Sequence, residues 1–343
     1  MKKHLKVCVL FDYHTTPPAD GDYGKRLGES DWLPVKAVLD ALQELGHSVT
    51  PFPIYDQVLP LVELLTKDPP DLVFNLADSY RNKRDFEAAL AGLLELSGVP
   101  YTGCPLQALD VCHTKSIAKR MLLPMGINQP HAVVFPAGGA APALAGLKFP
   151  VIVKPLSEEG SEGISGASFC EDEAGCLERV KFLHESLGAD AYVEEYIEGR
   201  EIYAGVLGNQ RLTVLPLREM VFEKFPDDRP KFATYKAKWD DAFREKWGIK
   251  NVPVAGLDEA VQREIERVSK TVFRSLGLRG CGRIDMRVTD KGDVYVIEVN
   301  PNPNLAPDDE IAESARQAEL SYPQLIQKLV SLGLKEADTK EEG

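Results

Sequence analysis

Four polar side chains on two short alternating runs stand out for the chemistry they could perform. Gly282-Arg283-Ile284-Asp285-Met286-Arg287-Val288 and Val294-Tyr295-Val296-Ile297-Glu298-Val299-Asn300 flank the turn-like Thr289-Asp290-Lys291-Gly292-Asp293. The alternation predicts an antiparallel hairpin. With Lys291-Gly292 as the two central turn residues, Asp290 stands opposite Asp293, Asp285 opposite Glu298 and Arg283 opposite Asn300. A period of two sets Arg283 and Asp285 on one strand face, and Glu298 and Asn300 on the matching face of the other strand. Directly opposed residues have Cβ atoms about 4.5–5.5 Å apart. Two carboxylates at that range repel, and a cation between them relieves the repulsion. Oxygen donors of this kind suit Mg²⁺, which keeps several waters and bridges to phosphate. An arginine one step along would hold a reacting anion beside the metal. The pattern fits equally a solvated hairpin face on which Arg283 neutralises the acids, and the turn lacks the preferred Asn-Gly.

A second group could handle phosphate. Phe149–Pro155 places Lys154 at the end of an apolar run, and Gly160, Gly163 and Gly166 recur in the loop behind it. Such glycines let backbone N–H groups close on a phosphate. The loop is no Walker A motif, because no Gly-Lys-Ser/Thr follows, and no dinucleotide fingerprint, because no helix opens directly behind it. A flexible hairpin tip explains it as well. Farther on, Tyr192–Glu201 reads as a strand, a turn and an acidic far end. Its carboxylates could accept from an adenine amino group and a ribose hydroxyl, or could face solvent on an edge strand.

These groups need elements to hold them. The chain has 343 residues, 44% of them hydrophobic, enough for two or three cores. Val7–Phe11, Ser48–Pro53 and Asp71–Asn75 read as strands, with helices at Val35–Leu45, behind an N-cap at Asp31, and at Asp85–Leu96. Strand–helix alternation at this pitch implies an open, mostly parallel sheet. Later, His113–Leu123, Glu171–Leu187, Asp258–Leu276 and Tyr322–Leu332 read as helices, Ala191–Tyr196 and Glu201–Leu207 as strands, and Pro136–Gly146 as a linker. Lys231–Trp247 is rich in cations but has no clean period, which suggests a lid.

The bulk composition excludes several classes. A net charge of −13 is a poor match to nucleic-acid phosphates. Apolar runs such as Lys6–Phe11 are far short of the roughly 20 residues of a membrane span, and the N-terminus lacks a cleavage pattern. Six scattered cysteines without a CxxC pair read as reduced core filler in a cytoplasmic protein. The histidines show no zinc-ligand spacing.

Taken in order, several segments resemble the ATP-grasp superfamily, and most closely the D-alanine–D-alanine ligases. They are Tyr101-Thr102-Gly103-Cys104, His113-Thr114-Lys115, Val153-Lys154-Pro155, Val193–Glu201, Ala237-Lys238-Trp239, Gly282–Asp285 and Glu298-Val299-Asn300-Pro301, and the resemblance runs from about Val99 to Val330. It implies a mixed α/β and α+β fold: a Rossmann-like pre-ATP-grasp domain over 1–110, a central ATP-grasp subdomain over 111–200, a C-terminal one with the metal site over 201–335, and a charged tail over 336–343. It assigns Lys115 and Lys154 to the ATP phosphates, and Glu194 and Glu201 to adenine and ribose. Glu195, Tyr196 and Ile197 become the linker at the adenine edge, and Ser161 joins the phosphate-covering loop. Lys238 closes over the γ-phosphate, and Arg283 steadies the acyl phosphate and the tetrahedral intermediate. Asp285, Glu298 and Asn300 match ligands of Mg²⁺, with Mn²⁺ as a substitute. The resemblance also implies small-molecule carboxylate and amine substrates, and allows a homodimer.

Departures gather where substrate would sit. Asp12–Pro18 lacks the family's His-Glu motif, Gly160 and Trp239 replace the serine and tyrosine of its hydrogen-bonded triad, and the triad's glutamate has no match. The acceptor-carboxylate serine falls near Asp309, which would repel a carboxylate or would simply cap the helix that follows. Three readings result. They are a ligase for amino acids or peptides other than two D-alanines, a D-alanine–D-alanine ligase with a divergent pocket, and a nucleotide-binding protein without catalysis. The intact lysines, acids and Arg283 argue against the last.

Overall fold

The computed structural model describes residues 4–18, 23, 26–29, 32–139, 142, 144, 146–156, 163–226 and 229–341, with side chains to 335. Three sheets organise them. β1 (Lys6–Asp12), β2 (Ser48–Ile54) and β3 (Leu72–Asn75) run parallel in the order β2-β1-β3. β1 is apolar from Val7 to Phe11 because both its faces are covered there. Val7, Val9 and Phe11 pack with Val38 and Leu42 of the helix Leu33–Glu44. Cys8 and Leu10 pack with Leu61 and Leu94 of the helices Leu59–Lys67 and Glu87–Ser97. The predicted cap Asp31 lies outside the described residues, and Trp32 takes the N-cap position.

The C-terminal helix, Tyr322–Glu341, returns to this first sheet through Leu325, Ile326, Leu329 and Val330. It continues past Leu332, where the apolar pattern suggested an end. Leu334, beyond that point, still packs against the same core, and the Lys, Glu and Ala that follow are good helix formers.

The second sheet joins β4 (Ala132–Phe135), β5 (Val151–Pro155), β6 (Phe169–Cys170) and β7 (Ala191–Glu195), antiparallel in the order β4-β7-β5-β6. The helix Glu173–Leu187 covers it with Cys176, Val180 and Leu183. The third sheet contains β8 (Arg200–Gly208), β9 (Thr213–Val214), β10 (Arg218–Phe222), β11 (Ile249–Pro253), β12 (Gly280–Val288) and β13 (Val294–Asn300). Its order is β11-β10-β8-β12-β13, with β9 beside β8. Ile265, Val268 and Val272 of the helix Glu259–Ser275 share a core with Ile284, Met286, Val288, Val294 and Val296. That packing leaves the opposite, polar face of β12 and β13 available.

The β12–β13 turn differs from the expected one. Thr289 N–H donates to the Asp293 carbonyl at 3.0 Å, so Thr289, not Asp290, faces Asp293. The loop is Asp290-Lys291-Gly292, and Gly292, at φ +84°, provides its left-handed residue. A β-bulge follows: Met286 pairs with Val296, but Asp285 pairs with Glu298, leaving Ile297 as the extra residue. The two one-residue offsets cancel, and Asp285 still meets Glu298.

The segment without a clean period folds as two short helices, Tyr235–Trp239 and Asp241–Trp247. Each is too short to display an amphipathic repeat. Thr234 and Asp240 cap them by accepting from Ala237 N–H and Phe243 N–H. All six cysteines are free and buried. Among the described residues no helix is long and apolar enough to cross a membrane.

Candidate active site

Adjacent strands in register bring the charged groups together. Asp285 faces Glu298 and Arg283 faces Asn300 across the β12–β13 ladder. Arg283 grips Asp285 with two bonds, Nε to Oδ1 at 2.8 Å and Nη2 to Oδ2 at 3.1 Å. Its Nη1 donates to Glu310 at 3.0 Å. Lys238, on the helix Tyr235–Trp239, lies 4.0 Å from Asp285. Lys115, first residue of the helix Lys115–Leu122, lies 3.3 Å from Glu298. Burial pushes the Glu298 carboxyl up, but Lys115, Lys238 and Lys154 outweigh it and hold the group at about 2. Burial prevails at Asp285, whose carboxyl stays above its usual range despite Arg283 and Lys238.

Lys154, near the end of β5, lies 2.6 Å from Glu194 on β7. The other oxygen of Glu194 accepts from Lys119. Glu194 is thus a buried anion between two lysines, and their pull lowers its carboxyl against the opposing effect of burial. Burial brings Lys119 down from 10.5 to about 8, with Glu194 resisting the change. Lys119 was missed in the sequence, although it lies four residues after Lys115 and so on the same helix face.

Arg287 was also missed, although strand alternation places it beside Asp285 and Arg283. Its Nη2 donates to Glu201 at 2.8 Å and to the Lys231 carbonyl at 2.7 Å, and its guanidinium lies 5.5 Å from the Tyr196 ring centroid. Glu201 accepts also from Tyr203 Oη and Ala233 N–H. Glu195 turns its carboxylate to Lys148 N–H at 2.9 Å. The N–H groups of Glu195 and Tyr196 donate to the His131 and Pro150 carbonyls, so neither is available to a base edge. Tyr196, Ile197, Glu194 and Glu201 border a cavity that also reaches Lys154, Lys238, Asp285 and Glu298. Ile152, Phe232 and Met286 add apolar walls. One end of this slot suits a flat apolar ring and the other a polyphosphate. Ser161 lies outside the described residues; just beyond that loop, the Ile164 carbonyl accepts from Tyr235 N–H at 3.1 Å.

The donor set at the hairpin has the chemistry of a divalent-ion site. Two carboxylates and an amide oxygen, with room for water and phosphate oxygens, suit Mg²⁺. Asn300 Nδ2 is buried without a hydrogen-bond partner among the described residues, so this side chain is not committed elsewhere through its donor. No group of three His, Cys, Asp or Glu suited to a metal occurs among the described residues, so Asn300 would complete the protein's share of the ligands.

Residues 136–331 match the family model described as the D-ala D-ala ligase C-terminus. A D-alanine–D-alanine ligase of Moorella thermoacetica is 31% identical over 87% of this chain and 92% of its own length. The chain belongs to the D-alanine–D-alanine ligase family. An uncharacterized protein of Sinorhizobium fredii is likewise 31% identical, over 86% of both chains. The D-alanine–D-alanine ligase of Bacillus anthracis complexed with ATP shares the fold, with a TM-score of 0.74 at 19% identity over 99% of this chain and 100% of that one. The three sheets therefore form an ATP-grasp ligase fold, and the protein is an ATP-dependent, ADP-forming ligase that makes a C–N bond.

The ligase has a second, larger cavity of about 920 Å³ beyond Arg283 and Lys238. Asp12, His14 and Asn75, at the carboxyl ends of β1 and β3, border it, as do Trp239, Asp309 and Glu310. Asp309 caps the helix Glu310–Gln317, as one reading of the sequence had it, by accepting from Glu310 N–H at 2.8 Å, and it also borders the cleft. Burial and the adjacent Glu310 push the Asp309 carboxyl well above its usual range. Burial raises Glu310 too, but Arg283 prevails and holds it at about 2. Gly160, the other departure nearby, lies outside the described residues.

Proposed function

We propose that this ligase uses Mg-ATP to activate the carboxylate of an amino acid or small peptide as an acyl phosphate and passes the acyl group to an amine. The observation that carries this reading is the convergence of Lys115, Lys238 and Arg283 on Asp285 and Glu298, at one end of an apolar-walled slot that Lys154 also lines. Asp285, Glu298 and Asn300 would hold the Mg²⁺, which supplies charge neutralisation at the phosphates.

The remaining chemistry belongs to the chain's own residues. Tyr196, Ile197 and Glu201 seat the nucleoside, with Glu194 fixed beside them by its two lysines. Lys115 and Lys154 bear on the phosphates, and Lys238 covers the γ-phosphate from the 231–247 lid. The substrate carboxylate oxygen attacks the γ-phosphorus, the bond to the bridging oxygen breaks, and ADP leaves. A neutral amine then attacks the acyl carbon, inorganic phosphate departs, and the amine loses its proton. Arg283 offers its guanidinium to the oxygens that carry charge in both steps. The lid excludes water that would hydrolyse the acyl phosphate.

The substrates differ from two D-alanines in this reading. The acceptor end carries Asp309 and Glu310, and the cavity lies near the upper end of the ~300–1,000 Å³ typical of ligand sites. An amine, an amide or an acceptor with a cationic group suits these acids better than a free carboxylate. The alternative, a genuine D-alanine–D-alanine ligase, is favoured by the names of the curated relatives. ADP release from purified protein, across a panel of carboxylates and amines, separates the two. No ADP release with any pair would defeat the catalytic reading.

A further inference from the structure

The asparagine–proline run after β13 is held by a buried carboxylate that plays no part in the steps above. Glu87 opens the helix Glu87–Ser97 and is only 4% exposed. Its Oε1 accepts from Asn302 Nδ2 at 2.7 Å, and its Oε2 lies 2.9 Å from His113 Nε2. Asn302 uses its other end as well, since Oδ1 accepts from Cys104 N–H at 2.8 Å. Gly103 allows this approach: at φ +98°, a Cβ there would come within 3.1 Å of Asn302 Oδ1. The Cys104 thiol donates to the Pro301 carbonyl at 3.0 Å. Pro301 and Pro303 have no N–H to anchor the run. Its placement therefore depends on the Asn302 amide, held from one side by Glu87 and from the other by the Gly103-Cys104 loop.

Both partners of Glu87 lead to the reaction centre. Asn302 is two residues from Asn300, whose own Nδ2 has no partner among the described residues. His113 ends the helix Leu106–His113, two residues before Lys115, which lies 3.3 Å from Glu298. We propose that Glu87 is a positioning residue for the metal and phosphate end of the site. Through Asn302 it sets the strap that presents Asn300, and through His113 it sets the helix start that presents Lys115. This inference rests on the Mg-ATP reading of the site.

The test measures ATP affinity of the full chain by calorimetry across a Mg²⁺ titration. Glu87→Ala and Asn302→Ala should each raise the half-saturating Mg²⁺ concentration about tenfold, the low end for residues that orient metal ligands. ATP affinity without Mg²⁺ should stay within about twofold in Asn302→Ala and fall further in Glu87→Ala, which also frees His113 ahead of Lys115, and the double variant should be no worse than Glu87→Ala, because the Glu87–Asn302 link is already broken there. Glu87→Gln keeps an acceptor for Asn302 and should remain near wild type, so it serves where the alanine variant folds poorly. Unchanged Mg²⁺ dependence in Glu87→Ala and Asn302→Ala, additive effects, or an equal loss of affinity with and without Mg²⁺ in Asn302→Ala would overturn the proposal. Wild-type protein that binds ATP no better with Mg²⁺ than without would instead overturn the reading beneath it.

Discussion

Glu298 faces Asp285 and is held ionised by Lys115, Lys238 and Lys154, so its removal tests the metal assignment directly. Glu298→Ala should keep the far-ultraviolet circular dichroism of the wild type while ADP release drops at least about a hundredfold, the scale of losing one electrostatic group at a reacting centre. Wild-type turnover in that variant would remove the assignment. Lys119 offers a second test, through pH. Its burial between Glu194 and the helix lowers its titration from 10.5 to about 8. Between those values the unfolded chain binds a proton that the folded chain does not, so this group makes stability rise with pH across that window. A Lys119→Met variant should lose that rise, and NMR of the Lys119 side chain should show a midpoint near 8. A midpoint at the ordinary lysine value would show that Glu194 compensates fully for burial. The role of Lys119 was accessible from its four-residue spacing to Lys115, but the identity of its partner was not, because Glu194 lies on a strand distant in sequence.

At the scale of elements, the hairpin and the lid were legible to different degrees. The alternation of β12 and β13 is a local consequence of one buried and one polar face, so the polar face was legible, while the pairing of Asp285 with Glu298 came out of the count only because the turn and the bulge offset one another. The three-residue loop and the bulge were not legible, because each depends on backbone geometry that residue types only bias. The lid pattern was hidden for another reason: helices of five and seven residues end before a period can repeat. Their caps contribute to the local holding, beside the packing of Ala237, Phe243 and Trp247. Thr234→Ala should cost about 1 kcal/mol of local stability, read as faster amide exchange over Tyr235–Trp239. The lid reading itself predicts that Mg-ATP slows proteolysis within Lys231–Trp247, since Lys238 then gains a phosphate partner. Equal cleavage with and without nucleotide would count against a lid.

The whole molecule decides what the acceptor can be. Arg283 holds Glu310 ionised, and Asp309 caps the helix beside it at the border of the large cleft. A free acceptor carboxylate would meet like charge there, and an uncompensated charge in a partly buried site costs roughly 3–5 kcal/mol. D-alanine alone should therefore give slower ADP release than the best amine of a library. Formation of D-alanyl-D-alanine, faster than any other product, would overturn this expectation. From the sequence alone came the parallel first sheet, the hairpin with its polar face and the identity of the charged groups, because these depend on local periodicity and motif order. Tertiary structure alone decided which charges meet. The Lys119–Glu194–Lys154 cluster, the Arg283–Glu310 pair and the Glu87–Asn302 clamp join residues 27 to 215 positions apart. The return of the C-terminal helix to the first sheet belongs with them. Such contacts arise when separate apolar faces pack against one another, and no local pattern along the chain records which faces will meet.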